Sequence, residues 1–554
     1  MGYNPLLIEL NPKEGGIKGL NPMKRNLVLH PFLFAGYPIL ALLAYNIEWA
    51  VPQDALRSLV VTLLAALLLL LVARWLTKDW LKAGLIVTAA VLLFFSYGHI
   101  YELLKKSEHL AAIGRHRYMI PTWALLFILA TFFVVRSRSN LRSLNNALNI
   151  TSIAALILPI FTIVQYQIES ASGRATADTI HTRPVIQLQL PPGEEAPDVY
   201  YIILDAYGRA DIIQEIFNYD NTPFLDELRE RGFYIGDYSR PNYAQTSLSI
   251  TSSTNMEYIQ DMIPDLDPKD KSRDVLWSLL KHSRVRTALE AIGYKTVAFP
   301  TGLAGTDLQD ADVYYSAGTM DEIVSLSAVT PFESMLVYNS AGRIITDGLI
   351  VLPSFIKELR YPYEVRRART LNAFEHLMDV PDLEGPHFVF AHIIAPHPPF
   401  VFDRNGNPVT PNAPFSLGFG YGDYRPEELQ SWIDGYREQL MFVNDRMIQV
   451  IDAILAKSET PPIIVIQGDH GPKAETDILP YTHERLSIFN AYYLPDGGEE
   501  ALYPTITPVN SFRVIFDTYF GASLELLPDR VFYSQYSKPY SFFEVTDEVY
   551  DYYR

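Results

Sequence analysis

The sequence predicts a protein in two parts, an N-terminal bundle of membrane-spanning helices followed by an α/β domain with a mostly parallel central sheet. Five long apolar stretches lie between residues 27 and 168. From residue 199 onward, short runs of β-branched and aromatic residues alternate with segments of helical periodicity. Such alternation favours a parallel sheet covered by helices on both faces. Polar residues follow three of the short runs, which indicates a functional site at their ends.

Composition sets the outer limits of this prediction. At 554 residues the chain is too long for one ordinary domain. Hydrophobic residues make up 49% of the chain, and the mean hydropathy is +0.05. A net charge of −18 argues against nucleic acid as a partner, because phosphate binding needs clustered Lys and Arg. Without a cysteine the chain has no disulfide, no thiolate zinc site and no cysteine nucleophile.

The apolar stretches are the candidate membrane spans, since a helix needs about 20 apolar residues to cross a bilayer. Before them, the polar residues 1–26 are expected to form a cytoplasmic tail rather than a cleaved signal peptide. The five predicted spans are residues 29–48, 56–76, 83–104, 122–135 and 147–168.

Basic residues in the connecting loops predict the orientation. With the N-terminus inside, the inner segments hold ten Lys and Arg residues and the outer loops hold five: Lys13, Lys18, Lys24, Arg25, Arg74, Lys78, Lys82, Arg136, Arg138 and Arg142 against Arg57, Lys105, Lys106, Arg115 and Arg117. An odd number of spans then places the remaining chain outside. The expected location is the cytoplasmic (inner) membrane, crossed several times, with the second domain extracytoplasmic.

The second part of the chain begins after residues 169–198, a Thr-, Pro- and Gly-containing stretch that we interpret as a linker. Residues 199–554 then form the α/β domain. The predicted strands are residues 199–204, 295–299, 387–391 and 463–467. The predicted helices are residues 211–218, 221–231, 283–292, 366–378 and 430–456.

Three of the predicted strands end in metal-ligand residues. Asp205 follows the first strand, His392 and His397 follow the third, and Asp469 and His470 follow the fourth in PIIVIQGDHGPK. Because ligands bind at the carboxyl ends of parallel strands, we expect these side chains to meet. Carboxylates and imidazoles are natural ligands of a divalent metal. The plainer alternatives are a helix N-cap for Asp205 and a solvated turn for Asp469 and His470.

A nucleophile is predicted in the hydroxyl-rich stretch NYAQTSLSITSSTNM, residues 242–256. Thr246 stands at an apparent helix start, and a bound cation would activate its hydroxyl. Ser247 and Ser249 compete for this role on composition alone. The structural alternative is a helix start with capping hydroxyls.

These motifs together resemble the alkaline phosphatase superfamily, at LDAYGR, NYAQTSLS, APHPPF and GDHG. The nearer match is its membrane-anchored sulfatase-like branch, which includes lipoteichoic acid synthases and phosphoethanolamine transferases. The resemblance covers the whole layout and implies an alkaline-phosphatase/sulfatase-like fold. It implies one Mn or Zn ion, with Mg or Ca as alternatives. It assigns the metal ligands to Asp205, Thr246, Asp469, His470 and His483, and catalytic or substrate-binding roles to Thr246, His397 and His392.

Two departures from the family pattern narrow the expected chemistry. The chain has no cysteine and no C/S-x-P-x-R motif near Thr246, which argues against ordinary sulfate ester hydrolysis. Pro472 and Lys473 follow GDHG where the transferases commonly have Glu-Ser, and Asp205 stands where they usually have Glu.

The resemblance therefore implies a metal-dependent hydrolase or phosphoryl-group transferase that forms a covalent Thr246 intermediate. Phosphoglycerol and phosphoethanolamine are the groups that such transferases move. The expected partners are membrane lipids, as donors through their headgroups, and an envelope glycan or lipid acceptor. Two alternatives stay open: an ester hydrolase of soluble envelope substrates, and a non-catalytic envelope scaffold.

Overall fold

The computed structural model of the chain describes residues 27–47, 52–107, 109–190, 193, 195–316, 330–347, 362–409, 429–474 and 481–551. The predicted cytoplasmic tail, residues 1–26, lies outside these ranges. Five helices come first: α1 His30–Tyr45, α2 Pro52–Thr77, α3 Trp80–Lys106, α4 His116–Arg136 and α5 Arg142–His181.

The α/β domain follows these helices. Its first half contains β1 Val199–Leu204, α6 Ala210–Phe217, α7 Thr222–Glu230, β2 Tyr234–Ile235, α8 Thr246–Asn255, α9 Ile259–Met262, α10 Asp274–Lys281, α11 Arg284–Ala291, β3 Lys295–Ala298 and β4 Val313–Tyr314. Its second half contains α12 Pro331–Tyr338, α13 Arg343–Thr346, α14 Pro362–Leu377, β5 His387–Ile393, α15 Leu429–Lys457, β6 Ile463–Gln467, α16 Tyr481–Arg485, β7 Asn490–Tyr493, α17 Pro508–Tyr519, β8 Phe532–Tyr533, β9 Phe543–Glu544 and α18 Thr546–Asp551. Short 3₁₀ helices occur at Val380–Asp382 and Gly498–Ala501.

The helices α2 to α5 are long and apolar enough to cross a membrane, four in the described part of the chain. Their large apolar side chains face outward, as in Leu64, Leu68 and Ile157, and lipid is the solvent that suits such a surface. The described part of the chain thus has four helices that could span a membrane, whereas the sequence predicts five. Helix α1 has only 16 residues and ends at the C-cap Asn46, whose backbone N–H and side-chain Nδ2 both donate to the carbonyl of Leu42.

Helix α5 runs far beyond the predicted span and into the expected linker. Its 40 residues correspond to a length of about 60 Å. The extension is helical because α10 gives it a packing partner. Ser170 Oγ lies 3.1 Å from Ser272 Oγ, and Arg174 Nη1 donates to Asp274 Oδ2 at 2.6 Å. A continuous helix therefore connects the membrane bundle to the α/β domain where we expected a loop.

The central sheet has seven strands in the order β2-β7-β6-β1-β5-β3-β4. The five strands from β6 to β4 pair in parallel, and β7 pairs antiparallel with both β6 and β2. Alternate residues of β1 point to opposite faces. Tyr200 and Ile202 pack under α6, α7, α14 and α15, whereas Tyr201 and Ile203 pack under α11 and α17. The predicted mostly parallel sheet, covered on both faces, is confirmed.

Candidate active site

The site lies at the carboxyl ends of the three central strands. β1 runs between β5 and β6, and Ile203 is in register with His392 on one side and Gln467 on the other. The residues that follow these strands therefore meet at one edge of the sheet. Asp205, His392, Asp469 and His470 are all buried there.

The ligand atoms of Asp205, His392 and Asp469 all lie within 4.8 Å of one another. His392 Nε2 is 3.3 Å from Asp205 Oδ2. His470 Nε2 is 3.3 Å from Asp469 Oδ2 and 3.7 Å from Asp205 Oδ1. Asp205 Oδ1, Asp469 Oδ2 and His392 Nε2 are buried and have no hydrogen-bond partner among the described residues. Several buried polar atoms therefore lie close together without hydrogen bonds between them. A bound cation would provide the interaction that these atoms lack.

The histidine tautomers support the same conclusion. His470 Nδ1 lies 3.1 Å from the carbonyl of Gly471, which can only accept. His392 Nδ1 lies 2.9 Å from Thr306 Oγ1, whose own proton is directed to Thr301. Both rings are thus assigned a proton on Nδ1, so each Nε2 presents a lone pair to the carboxylates. A divalent metal held by these residues would convert the repulsive contacts into ligand bonds.

The pKa shifts of Asp469 and His470 also indicate a cation site. Burial and the charge of Asp205 raise the pKa of Asp469 to about 7. Burial, followed by the charge of Arg485, lowers the pKa of His470 well below its usual value. A carboxyl whose pKa is raised beside a second carboxylate marks a place where a divalent cation would take over the role of the proton. The donor set fits a divalent metal such as Zn or Mn.

Thr246 is the first residue of α8, with Gln245 as the N-cap. Its Oγ1 lies 3.1 Å from His470 Nε2, and Thr246 is only partly buried. The neighbouring Ser247 and Ser249 are buried. Their hydroxyls have no hydrogen-bond partner among the described residues. Of the three candidate hydroxyls, that of Thr246 contacts the ligand cluster and remains accessible.

A tight pair of loops brings Asp469 beside Asp205. Ala206 adopts a left-handed conformation at φ 62°, and its N–H donates to Asp469 Oδ1 at 3.1 Å. A non-glycine residue in this region is strained and occurs mainly where function requires it. A Cβ on Gly468 would lie 2.3 Å from the carbonyl oxygen of Tyr207, so the two loops touch only because Gly468 has no side chain.

His397 stands next to the cluster. Its backbone N–H donates to the carbonyl of Asp205 at 3.0 Å, and its carbonyl accepts from Arg366 Nη2 at 2.8 Å. Its Nδ1 faces the carbonyl of Pro398, so Nε2 is the nitrogen without a proton in the neutral ring. Burial lowers the pKa of His397 to about 4, opposed by the charge of Asp205 and assisted by that of Arg366.

The structure places His483 in different surroundings. Burial and then the charges of Arg240 and Arg209 lower the pKa of His483 to about 4, and Asp211 is also near. It is absent from the group of close ligand atoms found among the described residues. We therefore treat its predicted role as a metal ligand as a hypothesis without geometric support.

Two residues that orient the side chains and loops of the site were not identified from the sequence. Thr306 orients the ring of His392 through its hydroxyl. Arg485 connects the loop before Thr246 to the loop that carries Asp469 and His470, because it donates to the carbonyls of Ala244 at 2.8 Å and Gly471 at 2.9 Å. Neither belongs to a recognisable motif. Both act through long-range contacts that only the folded chain shows.

A sequence model of the sulfatase family matches residues 197–512, more than half of the chain. The chain belongs to the sulfatase family. The match contains every residue of the candidate site, so the site is part of the family domain. The predicted sulfatase-like family, and the predicted class of a sulfatase-like hydrolase or phosphoryl-group transferase, are confirmed. No curated protein sequence gives a significant match.

Solved structures similar to this sulfatase-family chain are distant. One is the C-terminal periplasmic domain of EcEptC from Escherichia coli, with 12% identity, a TM-score of 0.42, and coverage of 65% of this chain and 96% of that one. Another is the integral membrane lipooligosaccharide phosphoethanolamine transferase A from Neisseria meningitidis, with 11% identity, a TM-score of 0.38, and coverage of 88% and 94%. A third is the phosphonate monoester hydrolase of Agrobacterium radiobacter, with 14% identity, a TM-score of 0.38, and coverage of 61% and 80%.

Proposed function

We propose that this protein transfers or hydrolyses phosphoester groups through a covalent intermediate on Thr246. The observation that carries this proposal is the position of the Thr246 hydroxyl, 3.1 Å from His470 Nε2 at the edge of the buried Asp205, His392 and Asp469 cluster. A weakly acidic hydroxyl becomes a nucleophile in such surroundings.

Asp205, Asp469, His470 and His392 would hold the metal, with Thr246 beside it. A divalent metal bound there lowers the pKa of a neighbouring hydroxyl and stabilises charge on phosphoryl oxygens. The N-terminus of α8, at which Thr246 stands, favours the same negative charge through its unpaired N–H groups.

Thr246 would lose its hydroxyl proton to solvent as the metal binds. The first step then forms a bond between Thr246 Oγ and phosphorus and breaks the bond to the leaving alcohol. A bound phosphoryl anion beside His397 offsets the burial that lowers the pKa of this ring. His397 can therefore gain a proton as substrate binds and deliver it to the departing alcohol. In the second step water or an acceptor hydroxyl attacks phosphorus, gives its proton to His397, and breaks the bond between phosphorus and Thr246 Oγ. Water gives a hydrolase, and an envelope glycan or lipid gives a transferase.

A membrane-lipid donor is supported by the short path between Thr246 and helix α5. Ser170 of α5 contacts Ser272. The next residue, Arg273, donates from Nη2 to Gln245 Oε1 at 3.0 Å. Gln245 immediately precedes Thr246, so the nucleophile is joined to the membrane helix by two side-chain contacts. This short path is the reason that we propose an ester held in the bilayer as the donor.

Metal removal tests the proposal. Detergent-solubilised protein treated with a chelator is expected to lose its bound metal and to stop releasing diacylglycerol from headgroup-labelled phospholipids, and added Mn or Zn is expected to restore release. Asp205→Asn removes a ligand charge, so we expect less than one metal ion per chain and no release. Asp226→Asn, an exposed change on α7, is the matched control and keeps both metal and activity.

Two results would overturn this account. Undiminished turnover by metal-free protein would exclude the proposed chemistry. Well-folded protein that binds no metal and cleaves no ester would favour the alternative of a non-catalytic envelope scaffold. The destination of the labelled headgroup, water or an added acceptor, separates hydrolase from transferase.

A further inference from the structure

One segment of the sulfatase-family domain packs on the membrane helices. This docking segment, residues 330–347, contains α12 and α13 and lies in the sequence between β4 and α14. It contacts helices α1 to α4 at the ends that face the catalytic domain.

The apolar contacts of the docking segment are close. Phe332 is 2% exposed and packs against Ile39 and Leu43 of α1 and Ala55 of α2. A Cβ on Gly98 of α3 would lie 2.4 Å from the backbone of Asn339, so backbone touches backbone there. The N–H of Ala341 donates to the carbonyl of Phe94 at 2.8 Å. Contacts this close are typical of an interior rather than of two surfaces that meet by chance.

The charges of the docking segment are matched by the membrane helices. Arg343 is 4% exposed; it pairs with Glu102 of α3 and with Asp347, and it lies 4.1 Å from the ring centre of Tyr101. Asp347 Oδ2 is 2.8 Å from His116 Nε2 of α4. At the other end of the segment, Glu333 pairs with Arg57 of α2. A buried charge such as that of Arg343 is tolerated when it finds a partner, and the partners of the charges in this segment come from three membrane helices.

Together with α5, the docking segment attaches the catalytic domain at two separate places. Through the contacts of Ser170 with Ser272 and Arg174 with Asp274, α5 holds the domain beside the nucleophile helix. A single helical attachment lets a domain pivot about it, whereas a second attachment removes that freedom.

We propose that the docking segment fixes the orientation of the active site toward the membrane and that Arg343 is its main positioning residue. This inference rests on the proposed function. A fixed orientation accelerates reaction of an ester held in the bilayer, because reactive atoms must align within about 1 Å. It gives no advantage with a small soluble ester, which diffuses into the site in any orientation. Loss of docking should therefore separate the two activities.

The test compares a soluble nitrophenyl phosphodiester with a headgroup-labelled phospholipid in vesicles. Arg343→Gln leaves Glu102 without its cation, and Phe332→Ala removes the apolar contact at the other end. Arg229→Gln, a surface change on α7 remote from the docking segment, is the control. We expect both docking variants to keep their activity on the soluble ester and to lose about tenfold or more on vesicles, with the control unchanged on both.

A second measurement reports docking without any substrate. The chain has no cysteine, so spin labels on Ala112→Cys and Glu230→Cys, both at exposed positions, report only the distance between the membrane bundle and the catalytic domain. The parent should give one narrow distance distribution, and each docking variant a broader one.

The outcomes separate this inference from the proposed function. Equal loss on both substrates, no loss on either, or an unchanged distance distribution would overturn the docking role. Failure of the parent to cleave the soluble ester would instead count against the proposed function, while the distance distribution would still decide whether the segment fixes the domain. A parent that cleaves the soluble ester but no vesicle lipid would contradict the claim of a membrane-directed site.

Discussion

At the scale of single residues, the choice of nucleophile depends on accessibility more than on chemistry. Thr246, Ser247 and Ser249 all carry hydroxyls within about one helical turn. Ser247 is turned about 100° around the helix from Thr246, and Ser249 follows almost one turn later. Both serines are buried, whereas Thr246 lies at the ligand cluster. Composition could name the three candidates, but only the direction of the helix distinguishes them.

His397→Gln tests the proposed proton transfer. A nitrophenolate leaves without a proton, whereas an alkyl alcohol needs one, so the two leaving groups should respond differently. We expect His397→Gln to reduce turnover of an alkyl phosphodiester by about 100-fold or more and turnover of the nitrophenyl diester much less. Steady-state rates on both substrates provide the measurement.

The control for this variant is His376→Gln, a partly exposed histidine on α14 that pairs with Asp379, which should affect neither rate. An equal loss on both leaving groups would contradict proton donation and assign His397 to substrate binding or to the structure of the loop.

At the scale of elements, the turn after β6 decides whether the site forms. Gly468→Ala places a Cβ against the carbonyl oxygen of Tyr207, and the two loops that carry Asp205 and Asp469 must separate. We expect a loss of about 1–3 kcal/mol in the free energy of unfolding, together with weaker metal binding. Thermal unfolding and metal content measure the two effects.

Gly293→Ala is the control for Gly468→Ala, because it strains the backbone without causing a steric clash. Gly293 has φ 99° and open space around its Cβ position, so the change strains the backbone without displacing a neighbour. It should lower stability and leave the metal content unchanged. Full metal content in Gly468→Ala would show that the two loops tolerate separation.

The elements also show what sequence can predict. The strands at 199–204 and 463–467 were predicted with their observed bounds, because continuous apolar runs bounded by polar residues identify buried parallel strands. Asp205, His392, Asp469 and His470 were placed together by the rule that strand ends meet at one edge. This rule does not extend to His483, which follows no strand, or to Thr306, whose role depends on a partner 86 residues away.

The predicted end of the last membrane span, at residue 168, was wrong because helix α5 continues to His181. Residues 169–181 contain Ser, Thr and Gly and have the composition of a loop, but contact with α10 keeps them helical in α5. Helix propensity is a weak preference that tertiary contacts override.

At the scale of the whole molecule, the catalytic domain is attached to the membrane helices at two places, through α5 and through the docking segment. Nothing in the composition of residues 330–347 marks them as a part that contacts membrane helices, since Phe332, Leu336 and Ile344 are ordinary core residues in any soluble helix. Their partners lie more than 200 residues earlier in the chain, as the pairs of Arg343 with Glu102 and His116 with Asp347 show. Contacts over such separations are outside the reach of local sequence patterns.

The most direct test of the central claim is to trap the covalent intermediate. Metal-loaded protein mixed with a nitrophenyl phosphodiester and quenched in acid within the first turnover is analysed by intact mass and then by peptide mass. The account predicts a phosphoryl adduct on Thr246 in the parent and in Ser247→Ala, and none in Thr246→Ala, which should fold and bind metal but not turn over. An adduct on Ser247 or Ser249, or full turnover by Thr246→Ala, would contradict it.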